Sequence, residues 1–298
     1  MVKEKISRQP FAVLFLVLLI LYCLSLIVPF IWVLISSLKT RVDFILNPFG
    51  LPGKYHGGWE FRNYIDVFEK MFIKVSYSDG RAPRNVYLPE MFLNSFVYSI
   101  ACTFVTTLSH CVTAYVVAKY KFFFGKVLYS TVIVTMIIPI VGNLPSMINL
   151  MNNIGFYDNV LGLIIMKASF TGTNFLIFYA TFKGISWEYA EAAFIDGASH
   201  ARVMFTIMLP LAKVTILALS LMTFIGIWND WQTSMIYLPS FPMAAYGLYA
   251  FQFSNVNAVS GTNYLMAACA LVVLPILLLF IAFRNKLMGA VAVGGLKG

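Results

Sequence analysis

The sequence of 298 residues is 60% hydrophobic and only 11% charged, and its formal net charge is +9. A soluble globular domain has about a quarter charged residues, so this chain lacks the polar surface that a water-facing exterior requires. Its basic residues lie at the ends of apolar stretches, where they indicate membrane topology, and no nucleic-acid-binding pattern accompanies them. We therefore expect an integral membrane protein in a lipid bilayer, with no nucleic acid as partner.

Cysteine and histidine usage gives no sign of a metal centre. The four cysteines fall inside apolar stretches without a Cys-x-x-Cys pair, and the three histidines are scattered. The cysteines are expected to pack as small apolar side chains, with neither a disulfide framework nor a metal site.

Six stretches are apolar and long enough to cross the hydrocarbon core as a helix, which takes about 20 residues. They are Phe11–Ser36, Met91–Ala118, Val127–Leu150, Asn159–Phe182, Leu211–Ile236 and Tyr264–Phe283. The first follows basic residues, as in a signal peptide, but its apolar run is too long and no small-x-small cleavage site follows it. The predicted fold is therefore all-α, a polytopic membrane protein with six transmembrane helices.

The placement of lysine and arginine predicts the orientation. Three basic residues occur in each of four segments, namely 1–10, 119–126, 183–213 and 284–298. The joints 151–159 and 238–263 contain none, so the positive-inside rule places both termini in the cytoplasm. The segment 39–90 disagrees, because it would be external and yet has eight basic residues. Long loops, however, translocate with weak regard to charge.

This topology divides the chain into five parts. They are a cytoplasmic N-terminus at 1–10, a first transmembrane helix at 11–36, an extracellular loop at 37–90, a five-helix transmembrane core at 91–283 and a cytoplasmic tail at 284–298. Within the loop, the runs Phe72–Tyr77 and Asn85–Leu88 flank Asp79-Gly80 and predict a small hairpin.

A short polar segment, 187–200, separates the fourth and fifth apolar stretches. Ser186 is a suitable N-cap, Glu188 suits the helix dipole, and Gly197 is expected to end or bend the helix. The helix is too short and too polar to span. It therefore either lies in a groove of a soluble partner or rests on lipid headgroups, and periodicity alone does not decide between these.

The same segment resembles the cytoplasmic coupling motif of ABC importer permeases. That motif reads Glu-Ala-Ala, three residues, Gly, nine residues, Ile-x-Leu-Pro, and it is filled here without departure in spacing by Glu191, Ala192, Ala193, Gly197, Ile207, Leu209 and Pro210. Further likeness to carbohydrate-uptake permeases, in particular the maltose-type second permease subunit, lies in Asp196 and Ala198 of the motif, Asn94-Ser95, Trp228-Asn229-Asp230 and the tail Gly294–Gly298. The segment 72–87 is longer than is usual in that family.

The resemblance implies a bacterial cell-membrane subunit that imports a sugar or oligosaccharide. It implies a heterodimer with a second permease subunit, two ATPase subunits and an extracellular substrate-binding protein as partners, and contact with the ATPases through the motif residues, including Asp196 and Ala198. The chain has no Gly-x-x-x-x-Gly-Lys-[Ser/Thr] loop, so ATP and Mg are expected on the partner ATPases. We expect no cofactor and no enzymatic activity in this chain itself.

Two ionisable residues, Lys167 and Asp230, fall inside predicted spans, where such residues usually face a cavity. At 1.5 Å per residue they lie roughly 12 and 9 Å below the external interface, which is the same depth within the uncertainty of the span ends. They predict one polar patch lining a translocation path. The alternatives are a structural ion pair, or a Lys167 side chain that snorkels to the interface.

Aromatic and amide side chains around Asp230 suit a sugar. Trp228, Asn229 and Trp231 combine flat apolar faces with hydrogen-bonding groups, although the tryptophans would also serve as membrane-interface anchors. Asn143, between Gly142 and Pro145, marks a break in the third span that is either part of the path or only a kink.

Two other classes of protein compete with this interpretation. An ion-coupled secondary transporter would act alone and should have more buried carboxylates. A membrane-embedded enzyme would need a nucleophile with a base or a metal cluster at one depth, and no such arrangement is evident in the sequence.

Overall fold

A computed structural model describes residues 10–77, 81–138, 142–253 and 261–294, with side chains from 11 to 284. The helices, in chain order, are α1 Pro10–Ser37, α2 Arg41–Leu46, α3 Arg62–Lys70, α4 Leu88–Lys119, α5 Phe123–Ile137, α6 Leu144–Asn153, α7 Val160–Met166, α8 Thr173–Gly184, α9 Glu188–Ile195, α10 His200–Val203, α11 Leu209–Leu211, α12 Lys213–Trp228, α13 Trp231–Tyr237, α14 Ala244–Phe253 and α15 Thr262–Gly294. A π-helical turn, Met204–Met208, joins α10 to α11. The described residues are therefore mostly helical, as the composition predicts.

Three of the six predicted spans are single long helices. Among the described residues α1, α4 and α15 contain segments long and apolar enough to cross a membrane, and α12 makes a fourth if the helical stretch before it, bent by 77°, is counted with it. The other predicted spans are divided into the pairs α5 and α6, α7 and α8, and α12 and α13. Six complete crossings and the cytoplasmic termini thus remain predictions.

A local backbone feature accompanies each division. Before α6, Gly142 has a φ of +76° and Pro145 occupies the first turn, which suits a helix start. Before α8, Gly172 has a φ of +131°, a backbone conformation that side chains strongly disfavour. Between α12 and α13, Asp230 leaves the helical conformation to act as an N-cap.

The long loop after α1 is ordered by its own polar contacts. The buried carboxylate of Asp43 accepts hydrogen bonds from the backbone N–H groups of Gly53 at 2.9 Å and Tyr55 at 3.1 Å. The predicted hairpin is confirmed as two paired strands, β1 Phe72–Val75 and β2 Arg84–Tyr87. Its expected turn at Asp79-Gly80 lies outside the described residues, and the short helices α2 and α3 are additions that the sequence pattern did not indicate.

The charge pair next to the hairpin is bidentate. The guanidinium of Arg84 donates to both carboxylate oxygens of Glu90, at 2.6 and 3.1 Å, and also to the hydroxyl of Tyr77 at 2.7 Å. The hydrogen bond to Glu90, and after it the hydrogen bond to Tyr77, raises the pKa of Arg84. The side chains of Arg84 and Glu90 are 50% and 36% exposed.

The chain forms two compact units. The first comprises 1–72, 87–89 and 248–275, and the second comprises 73–86, 90–247 and 276–298. In the first unit, the side-chain amide of Asn63 donates to the carbonyls of Ser37 and Lys39, both at 2.8 Å, and so ties α3 to the end of α1. The apolar cores of the second unit include one around Tyr115, Phe178 and Phe182 and one around Tyr98, Met151 and Leu163.

The outer surface of α1 is not covered by the other described residues. Almost every side chain from Phe11 to Ile31 is exposed, and no part of its most apolar stretch is buried. A helix of this kind requires lipid or another protein around it, because exposed apolar patches of this size are rare in soluble monomers.

Candidate functional site

The motif segment folds as the short helix α9, which begins one residue later than predicted. Trp187 occupies the N-cap, and the hydroxyl of Ser186 accepts the backbone N–H of Glu188 at 3.3 Å from one position further out. Glu188 and Glu191 lie in the first turn, where the helix dipole favours negative charge. The segment predicted as one helix over 187–200 is thus α9 followed by a turn and the start of α10.

Gly197 ends α9, as the sequence predicts. Its φ is +79°, its N–H donates to the carbonyl of Phe194 at 3.0 Å, and the N–H of Ala198 donates to Ala193 at 2.9 Å. These two bonds define a Schellman motif, in which glycine at the left-handed position satisfies the last carbonyls of the helix. After it, the hydroxyl of Ser199 caps α10 by accepting the N–H of Arg202 at 3.3 Å.

One side of α9 is fixed to the core of the second unit. Ala190 is completely buried, and Ala193 and Phe194 pack against the apolar core formed by Tyr115, Phe178 and Phe182. The small side chains allow α9 to lie close to the core, because alanine adds no bulk between the helix and its neighbours.

Four rings, hereafter the aromatic bracket, connect α9 to the end of α4. They are Tyr120, Trp187, Phe194 and His200. The hydroxyl oxygen of Tyr120 and Nδ1 of His200 are 2.9 Å apart, and the ring centroids of Phe194 and His200 are 4.7 Å apart. The ammonium of Lys119 also donates to the carbonyl of Ile185, just before α9. A displacement of α9 would therefore be transmitted to α4.

The opposite side of α9 faces outward. Its exposed residues include Glu191, Ala192, Asp196 and Gly197 of the motif. Two apolar side chains accompany them, since Ile195 is 86% exposed and Tyr189 is 55% exposed. Burying an isoleucine contributes about 1.5–3 kcal/mol, so this face is suited to a partner surface.

The last motif residues lie at a change of helix direction. The N–H of Leu209 donates to the carbonyl of Met204, five residues back, which closes the π-helical turn. Pro210 has no N–H, and a bend of 77° separates this stretch from α12. Leu209 packs against the apolar core while Pro210 is exposed, so the motif ends where the chain turns into the predicted fifth span.

Lys167 and Asp230 do not pair with each other. Among the described residues, no ion pair within 4.0 Å joins them. The carboxylate of Asp230 instead caps α13, accepting the backbone N–H of Thr233 at 2.9 Å and its hydroxyl at 2.5 Å. The alternative of a structural ion pair is therefore not the arrangement in this structure.

The remaining candidate residues differ in their exposure. Trp228 is buried: its ring centroid lies 4.8 Å from that of Phe96, and the ring stacks on Phe224 with a centroid distance of 5.8 Å. Neither face of the indole is therefore open to a sugar in this conformation. Asn229 and Asn143 are exposed and Trp231 is half-buried. Lys167 and Asp230 are also half-buried.

Three polar residues of α4, which we call the α4 clamp, were missed by the sequence analysis. The hydroxyl of Thr106 donates to the carbonyl of Lys167 at 3.1 Å. The hydroxyl of Ser109 donates to those of Ala168 and Ser169 at 2.9 and 3.0 Å. Nε2 of His110 lies 3.0 Å from the carbonyl of Thr171.

The clamp accounts for the break between α7 and α8. Non-helical backbone at membrane depth is tolerated only where its polar groups are satisfied, and here α4 supplies the donors. The spacing of i, i+3 and i+4 places the three residues on one face of α4, and that stripe in an apolar stretch is the signal that sequence reasoning could have used.

Comparison with known proteins agrees with this architecture. The sequence pattern of the family "Binding-protein-dependent transport system inner membrane component" matches residues 110–288. The chain belongs to this family, and is therefore a membrane-embedded transport subunit.

The alignments of this chain with two curated relatives extend over nearly its whole length. It is 27% identical over 291 residues to the diacetylchitobiose uptake system permease protein of Streptomyces coelicolor, covering 97% of this chain and 90% of that protein. It is 25% identical over 297 residues to a probable starch degradation products transport system permease protein of Thermoanaerobacterium thermosulfurigenes, covering 99% of both.

A solved structure shares the fold. It is the crystal structure of a bacterial ABC transporter involved in the import of the acidic polysaccharide alginate, with a TM-score of 0.76 and 21% identity, covering 94% of this chain and 97% of that one.

Proposed function

We propose that this chain is a transmembrane permease subunit of an ATP-binding-cassette importer in a bacterial cell membrane. With a partner permease it forms the path for a sugar or oligosaccharide, which an extracellular binding protein delivers. Both termini lie in the cytoplasm, and ATP with Mg binds to two separate ATPase subunits. The chain itself catalyses no reaction.

The observation that carries this proposal is the two-sided character of α9. Its inner side is fixed by the buried Ala190 and by the aromatic bracket, while its outer side exposes Ile195 and Tyr189 with the acidic first turn. A helix that only rested on lipid headgroups would be expected to have basic residues on its polar side. The described residues Glu188, Glu191 and Asp196 are acidic, which favours a protein partner.

The substrate class rests on the relatives. The two proteins named above are called permeases for diacetylchitobiose uptake and for starch degradation products, and both align over almost the entire chain. In the chain itself, the exposed amides of Asn143 and Asn229 and the half-buried Trp231 supply hydrogen-bonding groups and an aromatic ring of the kind that sugars need.

Purification and uptake test the proposal together. The chain is expressed with the genes for its partner permease, ATPase and binding protein, and is isolated through a tag on this subunit. We expect the ATPase to co-elute, and uptake of labelled oligosaccharide into proteoliposomes to require both ATP and the binding protein. Full uptake by this chain alone, driven by an ion gradient, would contradict the proposal and support a secondary transporter.

A further inference from the structure

A cavity of about 730 Å³ opens where α4 ends and α5 begins. Its basic lining residues are Lys121 and Lys126, and its hydroxyl groups come from Tyr120, Tyr129, Tyr179 and Ser130. All of the residues that line the cavity are described, and none of them is acidic. The cavity therefore has the charge of an anion site.

The two lysines are available for a ligand. Among the described residues, neither ammonium group makes a hydrogen bond or an ion pair. A third positive charge lies nearby, since the ammonium of Lys183 is 5.7 Å from the ring centroid of Tyr179. The rings of Tyr129 and Tyr179, which also line the cavity, pack together with their centroids 4.7 Å apart.

A second cavity continues the first along α5. It has a volume of about 400 Å³ and shares Lys126 and Ser130 with the first, and its remaining lining residues are Val127, Thr131 and Val134. The positions 126, 130 and 134 follow one face of the helix, so the groove runs for roughly 12 Å from the basic end into the apolar stretch. Val127 and Val134 are 48% and 51% exposed.

This combination defines the chemistry of the occupant. The basic end suits a phosphate, and the apolar groove suits a hydrocarbon chain attached to it; a soluble anion would use only the first cavity. The end of α4 is also where the apolar run stops, so the lysines stand at the level of lipid headgroups. We propose that the two cavities form a binding site for one anionic phospholipid, with its phosphate between Lys121 and Lys126 and one acyl chain along α5.

Native mass spectrometry of the assembled importer tests this site without requiring transport. The complex is purified with equal amounts of phosphatidylglycerol and phosphatidylcholine, and the retained lipid is counted. We expect preferential retention of phosphatidylglycerol. The double variant Lys121→Gln/Lys126→Gln should lower it roughly twenty-fivefold, because each lysine at an anionic headgroup contributes about fivefold. Lys213→Gln, which changes another exposed lysine at the start of α12, is the matched control and should leave retention unchanged.

Further experiments distinguish a bound lipid from other occupants of the site. Thr131→Trp fills the groove and should reduce retention of phosphatidylglycerol, whereas inorganic phosphate at millimolar concentration should not displace the lipid. A photo-crosslinking residue at position 131 should label lipid.

The proposal is wrong if the double lysine variant retains phosphatidylglycerol as the wild type does. It is also wrong if phosphate displaces the lipid while Thr131→Trp has no effect, or if position 131 crosslinks to the partner permease instead. Elution of every variant as the intact complex shows that a lost lipid does not reflect misfolding.

Discussion

Substitutions at Gly197 distinguish two possible reasons for glycine at this position. One is the left-handed backbone conformation at the end of α9, and the other is a surface without a side chain that a partner can approach closely. A Cβ added at this position meets no other described atom within 4 Å, so a small side chain begins in open space. The φ of +79° costs alanine about 1–2 kcal/mol, whereas asparagine adopts this region readily. Gly197→Asn should therefore fold as the wild type does, and Gly197→Ala should be slightly less stable.

The Gly197 variants should rank differently in substrate-stimulated ATP hydrolysis than in folding stability. If a partner ATPase approaches closely at Gly197, the asparagine side chain obstructs it even though the helix end is intact. We expect substrate-stimulated ATP hydrolysis by the reconstituted importer to fall at least tenfold in Gly197→Asn and to be abolished in Gly197→Asp. Folded yield is followed in parallel by size-exclusion chromatography. Normal stimulated hydrolysis in both variants would refute the role of this surface and leave glycine with a conformational role only.

Three other predictions concern topology, the α4 clamp and Asp230. A cysteine in place of exposed Lys54 should react with an impermeant thiol reagent outside cells, and one in place of Glu188 should be protected until the membrane is opened; the reverse pattern would invert the topology. Thr106→Val should lower the free energy of unfolding by about 1 kcal/mol, while Thr103→Val, which removes a buried hydroxyl that has no hydrogen-bond partner among the described residues, should be neutral or stabilising; equal effects would contradict the clamp. Asp230→Asn should keep the cap and folded yield but alter transport, and Asp230→Ala should also lose about 1 kcal/mol of stability; unchanged transport in both would exclude Asp230 from the path.

The features predicted well were those determined by neighbouring residues. The end of α9 at Gly197 follows from the ability of glycine to adopt a positive φ, and α1 and α15 follow from uninterrupted apolar runs. The strands β1 and β2 were likewise evident from local alternation around turn residues.

The features missed depend on contacts between distant parts of the chain. The break after Lys167 is stabilised by donors on α4 about 60 residues away, and Trp228 is buried by Phe92 and Phe96 from that same helix. Asp230 is different, because threonine at the third position after it is a local capping pattern. Its capping role is not evident from the sequence because the long apolar stretch obscures the helix start.

Site-directed crosslinking from Ile195 tests most directly whether α9 docks on an ATPase. Its side chain is 86% exposed at the outer side of α9, so a photo-crosslinking residue there should join this subunit to the ATPase in the assembled importer. The same residue at Leu161, which is 70% exposed on α7, should give no such product. Crosslinks from position 195 to lipid alone, with the ATPase present in the complex, would contradict the account and identify α9 as an interfacial helix.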